Sequence, residues 1–108
     1  MRGIVSREIG GKVVNFHFGT AMFEQLEEKG LRLSNFKDAM SEKMFNTTTE
    51  ILHQAAIAWC KVNKKDVDFD RVDVTCWVDE MGINEAVNMI TEGLKVLEKN
   101  PKALENQG

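Results

Sequence analysis

The chain has 108 residues, 43% of them hydrophobic and 29% charged, with a formal net charge of -3. That length suits one domain with a modest core, and the composition is that of an ordinary globular chain. The negative balance speaks against a nucleic-acid partner, which needs clustered lysine and arginine. No apolar run approaches the roughly 20 residues of a membrane span, and MRGIVSREIGG at the N-terminus lacks the apolar stretch of a secretory signal. A cytoplasmic protein is expected, with one globular domain over residues 1–100 and a short polar tail over 101–108. Cys60 and Cys76, each beside a tryptophan, read as buried free thiols of a reducing compartment.

Residues 2–18 predict a β-hairpin. Gly10-Gly11 separates two β-prone runs and suits a two-residue turn that needs positive φ. In that register Ile9 faces Lys12 and Val5 faces Phe16. Val14, Phe16 and Phe18 then share one face, and Val13, Asn15 and His17 the other. A lone hairpin is marginal in water, so the phenylalanine face must pack on helices. Gly10-Gly11 is a turn and not a phosphate loop, since the further glycines and the Lys-Ser/Thr of such loops are missing.

Thr20 is placed to cap a helix whose apolar stripe is Met22, Phe23 and Leu26. Gly30 ends it in a left-handed conformation, with Leu31 returning to Leu26. Ser34 is placed to cap a second helix carrying Phe36, Ala39, Met40 and Met44 at helical spacing. The stretch 46–63, NTTTEILHQAAIAWCKVN, reads as the buried central helix. Two adjacent stripes (Leu52, Ala55, Ala56, Trp59; Ile51, Ala55, Ala58, Val62) make an arc wider than a surface helix needs. His53, Gln54 and Lys61 mark its wet side. Thr47 and Glu50 fit a capping box. From Thr48 to Val62 this helix spans about 22 Å at 1.5 Å per residue. Trp59→Ala is expected to cost about 3–5 kcal/mol as a core truncation.

Asp66, Asp68 and Asp70 alternate in the next loop. A calcium loop started at Asp66 fails at its sixth position, where Arg71 stands instead of glycine. It fails again at its twelfth, where Trp77 stands instead of glutamate. Asp70 reads as the cap of a helix with Val74, Trp77, Val78 and Met81 on one stripe. Gly82 ends that helix, with Ile83 closing on Val78, and Asn84 caps the last one. Its stripe is Val87, Ile90, Leu94 and Leu97, flanked by Ala86 and Met89. Gly93 costs about 1 kcal/mol against alanine there and suits a close approach by another backbone. Asn100-Pro101 stops it. The predicted fold class is α+β: an N-terminal β-hairpin followed by about five short helices around a central buried one.

The candidates for catalysis are Cys60, Cys76, His17 and His53. His53 and Cys60 are seven residues apart on one helix, about 10 Å, too far to touch. Two Cys and two His without close pairs do not make a zinc site. Asp79-Glu80 and Glu27-Glu28 diverge around their helices as solvated faces. No catalytic residue, cofactor or metal is expected, which leaves binding. Six methionines are many for this length. Methionine fills cores, and it also lines grooves that accept helices of other proteins.

The order of motifs resembles a known family. Ile9-Gly10-Gly11-Lys12-Val13-Val14-Asn15-Phe16-His17-Phe18-Gly19 leads straight into Ala21-Met22-Phe23-Glu24-Gln25-Leu26-Glu27-Glu28-Lys29-Gly30. An alanine-rich helix with a tryptophan follows, then Phe69-Asp70-Arg71-Val72-Asp73 through Trp77-Val78-Asp79-Glu80, then an amphipathic helix. Over roughly residues 4 to 99 this is similar to the small tail assembly chaperones of long-tailed phages and prophages. The resemblance implies a protein that coats the long helical tape measure protein, keeps it soluble, helps recruit tail tube subunits, and then leaves. It implies no cofactor and no covalent chemistry. Many such proteins also have a frameshifted longer form, and rings or filaments of copies are compatible with the role. Apolar excess near helix ends places the expected partner surface at Met40, Met44 and Phe45 together with Val87, Ile90 and Leu94. Two other classes stay open on the residues alone. One is a helical adaptor for virion assembly or toxin neutralisation. The other is a transcriptional regulator, although its recognition helices lack base-reading Arg and Lys.

Overall fold

A computed structural model describes the backbone of residues 3–98 and the side chains through Lys95. The expected stop at Asn100-Pro101, the tail 101–108 and the Leu97 position lie outside the described residues. Among the described residues the architecture is α+β: a two-stranded antiparallel hairpin followed by five helices. Strands β1 (Ile4–Ile9) and β2 (Lys12–His17) pair in the expected register, Ile9 with Lys12 and Val5 with Phe16. Gly10 and Gly11 turn the chain at φ of 58° and 81°, which a side chain would strain. Phe16 and Phe18 are buried and Val13 is exposed. On the solvent face the Ser6 hydroxyl donates to Asn15 Oδ1 at 2.5 Å.

Helix α1 runs Thr20–Glu28. Its N-cap is Gly19, not Thr20. The His17 ring lies against Gly19, where a Cβ would meet Nε2 at 3.0 Å. The predicted C-terminal closure forms, with Leu31 N–H donating to Leu26 O at 2.9 Å and Gly30 N–H to Glu27 O at 3.0 Å. Ser34 does not cap the next helix. Leu33–Asn35 is a 3₁₀ turn, held by Asn35 Oδ1 accepting from Arg32 N–H and Asn35 Nδ2 donating to Gly30 O. Helix α2 (Phe36–Glu42) follows. It ends before Met44, because Lys43 at φ -139°, ψ 60° breaks the helical path.

Helix α3 (Met44–Val62) is the central element, and the hairpin and the other four helices all pack against it. Ile51, Leu52, Ala55, Ala56 and Ala58 are buried. The helix begins three residues before the predicted cap, so Thr47 and Glu50 form no capping box. The threonine hydroxyls donate to backbone carbonyls instead, Thr47 to Ala39 O at 3.1 Å and Thr49 to Phe45 O at 2.7 Å. Gln54, expected on the wet side, is buried and donates to Glu50 Oε2 at 3.1 Å. Trp59 is only partly buried and Val62 is exposed, so the expected cost of Trp59→Ala is too high.

Residues 63–70 lead into α4 (Arg71–Met81). Here the capping expectation holds. Asp73 N–H donates to Asp70 Oδ1, and Asp70 N–H donates back to Asp73 Oδ2, both at 2.9 Å. Asp70→Ala should therefore cost about 1 kcal/mol, read as a drop in the urea midpoint. Asp66→Ala, in the same loop but exposed, should leave the midpoint unchanged. Gly82 ends α4, its N–H donating to Val78 O at 2.8 Å, but Ile83 does not close a Schellman motif. Ile83 is already the first residue of α5 (Ile83–Glu98). The Gly82 carbonyl accepts from Ala86 N–H at 3.1 Å, so Gly82 and not Asn84 occupies the N-cap. Arg7 ties β1 to α5, donating from Nε to Glu85 at 2.9 Å and from Nη2 to Glu92 at 2.8 Å. These carboxylates raise the Arg7 pKa. All three side chains are partly exposed, so the pairs fix orientation more than they stabilise.

Candidate protein-binding site

The break at Lys43 decides what the start of α3 presents. With α2 ended and α3 begun, Met44 and Phe45 occupy the first turn of the central helix, outside its packed length. Phe45 is 65% exposed and Met44 39%. Met40, one turn back on α2, is half-buried, and its sulfur lies 3.7 Å from the Thr48 hydroxyl. The expected partner residues on α2 and α3 thus sit at one corner of the fold with two of three side chains available.

The α5 half of the expected surface is different. Ile90 is 4% exposed and belongs to the core, so it is withheld from any partner that meets the folded chain. Val87 and Leu94 are half-buried, and Leu94 packs on the core. The inward stripe of α5 is Ala86, Met89, Ile90 and Gly93, not Val87-Ile90-Leu94. The rotation follows from Gly93. Having no side chain, it admits the Phe18 ring, and the helix seats by its small-residue side.

A cleft of about 350 Å³ opens where no local spacing predicted one. The hairpin tip (Ile9, Lys12 to Asn15) forms one wall. Ala56, Trp59 and Cys60 of α3 form another, and Asp68, Phe69, Asp73 and Trp77 the third. Trp77 and Phe16 form a T-shaped pair at 6.1 Å and 87°, and Trp77 tilts against Phe69 at 5.1 Å. Such rings in a partly open hollow are how protein interfaces build anchor pockets.

Neither Cys60 nor His53 is tuned toward reaction. Burial pushes the Cys60 thiol up, and the Asp68 charge adds to this, which is opposite to the activation a nucleophile needs. Burial pushes His53 down despite Glu50 Oε2 at 3.7 Å, and His53 stacks edge-on with Phe69 at 6.2 Å. Cys76 is exposed and unbonded, against its expected burial. Among the described residues no three His, Cys, Asp or Glu side chains converge to hold a metal ion. No described helix is long and apolar enough to cross a membrane. Compared with models of known families, with characterised proteins and with solved structures, the chain matches none.

Proposed function

We propose that this chain is a non-catalytic assembly chaperone of the phage tail kind, which holds helical stretches of the tape measure protein and helps bring tail tube subunits to it. The observation that carries the reading is the Met44–Phe45 pair, exposed at the first turn of the helix around which the whole fold packs. A flexible thioether beside an aromatic ring offers shallow apolar contact to varied helical surfaces. Shallow contact suits a chaperone that must let go. The order of motifs from the hairpin to α5 supports the same reading. The surface is narrower than the six expected residues, since Ile90 is in the core.

The test begins with the genes flanking this chain's own, where a tail tube gene and a very long helix-coding gene are expected. The long product, co-expressed with this chain, should stay soluble and co-purify. Met44→Glu/Phe45→Glu should lower the recovered complex about tenfold or more, as loss of an aromatic anchor does. Both positions are exposed, so the urea midpoint of the variant should move by no more than about 0.5 kcal/mol in stability. Undiminished recovery of the complex with that variant would remove the site. Flanking genes without a long helical product would remove the role.

A further inference from the structure

The chain has two tryptophans, and both line the same cleft. Each is only partly buried, although the rest of the core is filled by side chains such as Phe16, Phe18, Leu52 and Met89 with almost no exposure. Trp77 is held in place from two sides by Phe16 and Phe69, so the ring is preset and a ligand would not have to order it. Trp59 stands on α3 beside Ala56 and Cys60, whose small side chains leave the floor low. Two carboxylates, Asp68 and Asp73, stand on the α4 side, against one cation, Lys12, on the hairpin side. Asp73 is fixed by its reciprocal bonds with Asp70, and Asp68 is close enough to Cys60 to raise its thiol pKa, an effect that the exposed Lys65 opposes from outside the lining. Indole and phenyl faces attract a cation, carboxylates at the same mouth add to the attraction, and an apolar floor accepts a methylene stem.

We propose that the cleft between the hairpin tip, α3 and α4 is a socket for a basic side chain, arginine above all, carried on an exposed segment of a partner protein. Arginine fits better than lysine because its planar, weakly hydrated guanidinium stacks on rings and bonds to carboxylates together. The volume of about 350 Å³ is enough for one long side chain and the backbone that bears it, and small for a whole cofactor. The socket is distinct from the Met44–Phe45 corner. Trp59 lies fourteen residues beyond Phe45 on the same helix, about 21 Å at 1.5 Å per residue. The inference therefore stands whether or not the chaperone role does.

The two tryptophans supply the readout. The probe is the pentapeptide acetyl-Ala-Ala-Arg-Ala-Ala-amide, titrated against intrinsic fluorescence. Its norleucine analogue and free agmatine serve as comparisons. The arginine peptide is expected to give a saturable change that weakens with added salt, and the norleucine peptide none. Asp68→Asn and Asp73→Asn should each weaken it about two- to fivefold, the range of partly exposed ion pairs. Asp73→Asn keeps an oxygen that can accept from Asp70 N–H, so the start of α4 should survive. An unchanged urea midpoint for both variants checks this. A response that is linear, equal for norleucine, or indifferent to both aspartate changes would overturn the socket. Agmatine binding more tightly than the peptide would overturn the protein-borne occupant in favour of a small free cation.

Discussion

Phe16→Ala should destabilise the fold by about 3–5 kcal/mol, the range of large aromatic truncations in cores. Phe16 is fully buried on β2, its ring lies perpendicular to that of Trp77, and its strand packs on α3. Truncation leaves a cavity bounded by a strand and a helix, neither of which can collapse into it without breaking its own hydrogen bonds. At typical slopes of about 1–3 kcal/mol/M, the urea midpoint should fall by at least about 1 M. Trp59→Ala should cost clearly less, because part of that ring already faces the open cleft and its loss enlarges a hollow that water can fill. The comparison is informative because a ranking by residue type alone puts Trp59 first. If Trp59→Ala cost as much as Phe16→Ala, the cleft beside Trp59 would have to be closed in solution.

The parts of the fold that were legible in the sequence share one property. Each is set by interactions within a few residues. The period-2 alternation and Gly10-Gly11 give the hairpin and its register. Leu26, Gly30 and Leu31 give the closure of α1, and Asp70 with Asp73 lies three residues apart on its cap. The misreadings share the opposite property. Thr47 looks like a cap, but Lys43 breaks the chain earlier, and the threonine hydroxyls then find carbonyls at Ala39 and Phe45. Gln54 looks wet until the hairpin and four other helices pack on α3. Gly82 looks like an ordinary stop, yet α5 follows with no linker, so one residue serves two helices. The candidate surfaces divide in the same way. Met44 and Phe45 were visible as apolar excess near a helix end. The cleft was not, because its walls come from residues 9–15, 56–60 and 68–77, and only the tertiary fold brings these together.

Gly93→Ala should destabilise the protein, against the usual gain of about 1 kcal/mol for alanine over glycine inside a helix. A Cβ built at Gly93 falls on the Phe18 ring, and Phe18 is fully buried, so neither group has room to withdraw. The sequence pointed to a close approach by another backbone, whereas the approaching group is this ring. Overpacking of this kind costs about 1–3 kcal/mol. Phe18→Leu alone should also destabilise. Combined with Gly93→Ala it should cost less than the sum of the two, since the added methyl then meets a smaller side chain. A coupling of about 0.5–3 kcal/mol in that direction would place the contact in solution. Stabilisation by Gly93→Ala alone would mean that α5 does not rest on Phe18. The same variant separates two views of partner binding. Ile90 lies three residues before Gly93 on the inward stripe. A helix pushed outward by the added methyl would begin to uncover it. If partners are held at Met44–Phe45 alone, binding per folded molecule should not change. If Ile90 contributes by transient release of α5, Gly93→Ala should bind more tightly while it folds less stably.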